Sequence, residues 1–127
     1  MNLAIGWLWI HLGIVSGALL GLGFLNPEFL GGYGSTRRRL LRLGHISFFG
    51  MGILNLMLAA SPLLAVDSTT SLMLQRTASL GLMIAALTMP LACALVAWRR
   101  ACYPVFVIPV AAALTATSII CWEVIIS

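Results

Sequence analysis

Four long apolar runs, parted by short polar segments, set the pattern of the chain. They span about residues 4–25, 37–60, 72–98 and 102–126. Each is long enough for the roughly 20 helical residues that a bilayer core of about 30 Å requires. Alternation with a period of two is missing, and small residues recur three or four apart, which is helix spacing. The pattern predicts one all-α domain over residues 1–127, an integral membrane four-helix bundle built from antiparallel up-down hairpins.

Punctuation between the runs supports the same division. In the first run Gly13, Gly17 and Gly21 recur every four residues, a seam where a second helix can approach closely. Trp7 and Trp9 near its start read as interfacial anchors. Asn26-Pro27 stops the run, because proline lacks a donor and biases the preceding residue away from helix. A single helical turn is expected at residues 27–30, and Ser35 or Thr36 is placed to cap the second helix. On that second helix Arg38, Arg42, Phe49, Gly52, Leu56 and Ala59 fall within about 60° of His45, and Asn55 lies about 80° away. Ser61-Pro62 closes it, and Asp67, Ser68, Thr69 and Thr70 are turn and cap material.

The third run carries a small-residue face of Thr77, Gly81, Ala85, Thr88 and Ala92. Pro90 is expected to kink it, with a neighbouring helix satisfying the carbonyl that proline leaves without a donor. The segment from Trp98 to Tyr103 is short, so the third and fourth runs should form a tight hairpin. The fourth run opens with Pro104 and Pro109 and carries Ala111, Thr115 and Ser118, with Trp122 and Glu123 near its exit. Gly52, Asn55 and Gly81 join Gly13, Gly17 and Gly21 as the expected helix-packing positions, Asn55 as a polar tie worth on the order of 1 kcal/mol.

Composition narrows the class. Apolar residues make up 61% of the chain and charged ones 8%, against about a quarter charged in a soluble domain. The net charge of +4 comes from seven arginines and no lysine. Six of the seven, Arg37, Arg38, Arg39, Arg42, Arg99 and Arg100, fall in two clusters at one end of the helices, and Arg76 lies at the other. Such clusters read as membrane topology and contact with anionic lipid headgroups or acidic partner loops, and they exclude a nucleic-acid surface, which needs a folded polar face. By the positive-inside rule both clusters lie in the cytoplasm and both termini outside, in what is expected to be a bacterial cytoplasmic membrane. The first run lacks a basic lead and a small-residue cleavage site, so no cleavable signal is expected. Cys93, Cys102 and Cys121 show no metal spacing and no disulfide framework.

Candidate chemistry is sparse. Gly31-Gly32-Tyr33-Gly34 lacks the lysine of a phosphate loop. Paired carboxylates, a serine–histidine–acid set and the deep acidic residue of a proton-driven exporter are all missing from the sequence. His11 and His45 are the intramembrane polar groups that warrant a functional hypothesis. For a b-type haem they would need ring nitrogens about 4 Å apart across one iron. Helix depth separates them by about 15 Å along the membrane normal. Met57 is placed near the depth of His11, which gives a histidine–methionine pair as the remaining haem geometry, and Cys93 is placed near the depth of His45 as a packing neighbour. The reading that covers most of the chain is a small non-catalytic subunit, packing by its small-residue faces against itself or a larger membrane complex. The alternative is a haem-bearing or quinone-side electron-transfer subunit that uses His11 or His45.

Overall fold

In the computed structural model, four helices follow one another: α1 (Asn2–Gly23), α2 (Thr36–Ala60), α3 (Thr69–Trp98) and α4 (Val107–Ile126), with a 3-10 helix at Arg100–Phe106. The structure describes residues 1–61 and 69–126. Among them no strand occurs, and all four helices are long and apolar enough to cross a membrane. The segment expected to turn at Pro62, Asp67 and Ser68 lies outside the described residues.

Helix boundaries follow local chemistry. Ser35 caps α2 by accepting from the Arg37 amide at 3.2 Å, one of the donors that the first turn of a helix leaves without a partner. At the end of α1 the amides of Phe24, Leu25 and Asn26 return to carbonyls of residues 20–23. Asn26 Oδ1 then accepts from the Glu28 amide at 3.0 Å. The expected helical turn at residues 27–30 is a pair of hydrogen-bonded turns instead. The chain reverses through Leu30, Gly31 and Gly32, at φ values of 60°, 87° and 81°. Two of those three left-handed positions are glycine, which adopts them without a Cβ clash. The start of the fourth helix is also corrected: residues 100–106 wind as 3-10, and the α-helix begins at Val107. Pro104 donates no amide and disfavours α geometry in Tyr103, so the tighter turn holds until Pro104 is passed.

Packing is sequential. α1 lies on α2, α2 on α3 and α3 on α4, while α1 meets α3 only lightly. Along α1 and α2 the register descends: Gly6 stands against Gly52 and Leu56, Gly13 against Phe49, and Gly17 against His45. Gly44 lies against Cys93 and Pro90 of α3, and Gly81 against Ala112 and Ala116 of α4. At least one close glycine contact thus serves each consecutive pair of helices. In lipid, side-chain burial brings little hydrophobic gain, so this close van der Waals approach is a main source of association energy.

The core centres on α3, where 44% of the apolar span is buried, against 11% for α4. Its buried side chains include Ala78, Ala85, Ala86, Ala92 and Ala97, with Leu82, Cys93 and Val96 between them. Leu58 of α2 and Ala116 of α4 close on Ala78 and Leu82. Trp9, read from sequence as an interfacial anchor, is in this core: it is buried and its indole Nε1 donates to the Ala86 carbonyl at 2.9 Å. The physical reason lies four residues further along α3. Residue 90 would normally donate to that carbonyl, and it is proline. The indole supplies the bond that Pro90 withholds. Trp7 is 62% exposed and keeps the outward position expected of an anchor.

Candidate functional site

Three places gather the polar groups of the helices. The first joins α1, α2 and α3 near the start of α1. Asn2 Nδ2 donates to Asn55 Oδ1 at 2.8 Å, Ser79 Oγ donates to Asn2 Oδ1, and Asn55 Nδ2 reaches the Met51 carbonyl at 2.8 Å and the Leu82 carbonyl at 3.5 Å. Asn55 is fully buried. This network satisfies every polar atom of the Asn55 amide and orders three helices around it. Asn2 and Ser79 escape a sequence reading: an asparagine beside Met1 resembles a solvated end, and a lone serine in an apolar run resembles a small filler.

The second place is His45. Its ring sits where a Cβ on Gly17 would fall, with Cε1 2.6 Å and Nε2 3.2 Å from that position. Phe49, one turn further along α2, meets the imidazole edge-on, with ring centroids 5.3 Å apart. Ser16 Oγ lies 3.1 Å from both His45 Nδ1 and the Gly13 carbonyl. When Ser16 donates to Gly13, Nδ1 donates to Ser16 and Nε2 is left as an acceptor. When Ser16 donates to Nδ1 instead, Nε2 carries the proton. His45 also lines a cavity of about 360 Å³ with Ser16, Leu19, Leu20, Phe48 and Pro90. Apart from His45 and Ser16 the side chains of the lining are apolar.

The other histidine is elsewhere. His11 is exposed on the far side of α1 from this cavity. Six residues separate it from Gly17, against which His45 rests, so the two histidines differ by about 9 Å along the axis. That replaces the about 15 Å expected from sequence, because the pairing of Gly17 with His45 brings the helices into a different register. The separation still excludes one iron shared by both rings. Met57 is not at the depth of His11. Gly52 stands against Gly6 and Ile10, so Met57, about 8 Å beyond it, is level with the first turn of α1. It is 64% exposed and lines a hollow with Thr117 and Cys121 of α4. The structure therefore does not bring His11 and Met57 together. Among the described residues no group of three or more His, Cys, Asp or Glu is placed to hold a metal ion.

Gly13 and Gly17 pack against Phe49 and His45, but nothing stands within 4 Å of a Cβ placed on Gly21. The seam runs instead from Asn2 through Gly6, Trp9 and Gly13, the buried face of α1. Gly6, absent from the sequence expectation, makes its closest crossing.

The third place is the arginine end, where the six cations divide into two sets. Arg38 is buried, donates from Nη1 to the Pro27 carbonyl at 3.2 Å, and lies over the Phe24 ring at 4.2 Å and the Tyr33 ring at 5.5 Å. Arg42 lies over the same two rings at 5.6 and 5.1 Å. These two, expected to meet headgroups, also hold the Phe24–Ser35 loop by cation–π contact. Both Nε atoms are buried without a hydrogen-bond partner. Arg37, Arg39, Arg99 and Arg100 are exposed. The i, i+4 spacing of Arg38 and Arg42 is the sequence signal for the division, since it puts both on the His45 side of α2, facing α1 and its loop.

Searches against family models, curated proteins and solved structures found no match to the chain.

Proposed function

We propose that this chain is a small, non-catalytic integral membrane subunit that works by docking, through α4, to another copy of itself or to a larger membrane complex. The observation that carries this reading is the state of α4. Only Pro109 and Ala116 of that helix are buried, while Ala111, Thr115, Ser118 and Trp122 are all exposed. At 100° per residue those four lie within about 60° of one another. Ala111, Thr115 and Ser118 are small, and such a row lets a partner backbone approach closely, as Gly81 lets α4 approach α3. Thr115 already bonds its own helix at Ala111, so the row can be covered without stranding that donor. Replacing Thr115 and Ser118 by leucine is expected to disperse the assembly. Native mass analysis after gentle extraction reads this, and an assembly that survives both substitutions would argue against docking through α4.

The same reading takes the helices as antiparallel up-down neighbours, supported by the descending register of α1 against α2 and of α2 against α3, where Gly44 meets Cys93 and Asn55 reaches the Leu82 carbonyl, and α3 as kinked at Pro90. It places the arginine end in the cytoplasm and both termini outside. Gly34 is exposed with open space around it, so Gly34→Cys in a background with Cys102 and Cys121 replaced by alanine reports the side. Labelling by an impermeant maleimide only after the membrane is opened is the expected result. Labelling of intact cells would reverse the orientation.

The His45 cavity supports a second reading, a redox subunit in which His45 alone ligates or hydrogen-bonds a cofactor such as haem b or a quinone. The place of His45 in the wall of a nearly apolar cavity is the observation behind it. Purified protein would then show reduced-minus-oxidised visible or near-ultraviolet difference bands, lost in His45→Ala. Their absence from protein extracted with native lipid would remove this reading and leave the first intact.

A further inference from the structure

Two adjoining hollows at the arginine end share Thr36, Val96 and Arg100. One, about 410 Å³, opens on the polar start of α2 at Ser35, Thr36 and Arg37, with Trp98 and Arg100 facing them. The other, about 390 Å³, has Arg39 and Tyr103 together with an apolar wall of Leu40, Leu43 and Val96. The cations that edge these hollows come from separate elements, and contacts hold two of them in position. Arg100 Nη2 donates to Thr36 Oγ1 at 3.2 Å, and the Arg37 guanidinium lies 5.3 Å from the Trp98 ring centroid. No carboxylate lines either hollow.

We propose that the double hollow is a site for one phospholipid of net negative charge. Its phosphate sits among Arg37, Arg39 and Arg100, and an acyl chain lies along Leu40, Leu43 and Val96. Charge complementarity selects the headgroup: three guanidinium groups and the positive end of α2 edge two adjoining hollows whose linings hold no acid, and a phosphate oxygen accepts from several such donors at once. The apolar wall selects a lipid over a free phosphate, because an inorganic ion leaves Leu40 and Leu43 uncovered. A zwitterionic lipid fits the wall but carries a cation toward the arginines. Trp98 and Tyr103 lie at this same level, where aromatic side chains favour the headgroup boundary.

The test uses the full chain in phosphatidylcholine nanodiscs titrated with phosphatidylglycerol, with retained lipid counted by native mass spectrometry. The site predicts about 100-fold preference for phosphatidylglycerol over phosphatidylcholine, from three basic residues near the surface. Arg39→Gln lowers retention about fivefold. The triple replacement of Arg37, Arg39 and Arg100 by glutamine abolishes the preference. Leu43→Trp, which fills the apolar wall and keeps every charge, reduces retention too. Arg76→Gln, at the other end of the helices, leaves it unchanged. Helical circular dichroism is recorded for each variant, and the single replacements decide the matter if the triple one loses its fold. Equal retention of the two lipids, or an Arg39→Gln loss matched by Arg76→Gln, overturns the site. Full competition by inorganic phosphate, or no effect of Leu43→Trp, overturns the lipid as its occupant.

Discussion

Gly52→Leu is expected to cost about 3 kcal/mol of stability, the upper end for overpacking a well-packed contact. A Cβ on Gly52 would lie 3.0 Å from the Gly6 carbonyl oxygen and 3.1 Å from Ile10 Cγ1, and a Cβ on Gly6 would lie 3.0 Å from the Gly52 carbonyl oxygen. Backbone faces backbone in both directions, so no side-chain rotation makes room. A leucine drives α1 and α2 apart, and the Asn2–Asn55 bond, which spans the same pair at 2.8 Å, lengthens with them. Gly50 is the matched control, two residues away with nothing within 4 Å. Gly50→Leu should stay within about 0.5 kcal/mol, the usual range for exposed substitutions. Unfolding in mixed micelles with increasing dodecyl sulfate measures both, and similar values for the two would mean that α1 and α2 do not cross there.

Trp9→Phe is expected to cost about 2 kcal/mol, and most of that loss should vanish when Pro90 is alanine. Phenylalanine keeps the ring that meets Phe48 at 6.1 Å but removes the donor to the Ala86 carbonyl. With Pro90 in place that carbonyl then has no partner inside an apolar core, a penalty of about 1–3 kcal/mol. Alanine at position 90 restores the i→i−4 amide, so the indole is no longer needed. The cycle of Trp9→Phe and Pro90→Ala, followed by the same unfolding titration, should give a coupling energy above 1 kcal/mol. Additive effects would show that Trp9 contributes by packing alone.

How far the fold was legible depends on range. The four helices were read from apolar runs, and Pro27, Ser35 and Ser61 marked ends because each acts through neighbouring backbone. The 3-10 segment was missed because Arg100–Phe106 has the same hydropathy as the helix after it, and only the geometry around Pro104 separates them. Trp9 shows the limit more clearly. From sequence, Pro90 asks for a donor from a neighbouring helix, but nothing local says that the donor is a tryptophan 81 positions earlier. The descending register that decides it also set Gly17 against His45, shortened the distance between the histidines and moved Met57 away from His11. Register between apolar helices follows from which small residues meet, and the every-fourth glycines of α1 marked one seam, Gly13, Gly17 and Gly21, that the structure shifts. Gly6, Gly13 and Gly17 belong to the one adopted, and Gly21 does not.

The arginine end was legible as a charged end and not as a structure. Its sequence neighbours Arg37, Arg38 and Arg39 point about 100° apart around α2. Arg38 therefore turns inward to Phe24, Tyr33 and the Pro27 carbonyl, while Arg37 and Arg39 stay at the rim. A cluster read as marking topology and meeting headgroups or acidic partner loops is in part a clamp on its own loop.

The mass of the gently extracted wild-type protein tests the proposed role most directly. A chain of 13.6 kDa that docks through α4 should be recovered, at the lowest detergent that keeps it soluble, in a species heavier by whole copies of itself or by another membrane protein, and Thr115→Leu with Ser118→Leu should release it. A lone 13.6 kDa species under those conditions, with no heavier form at any detergent level, would contradict the account.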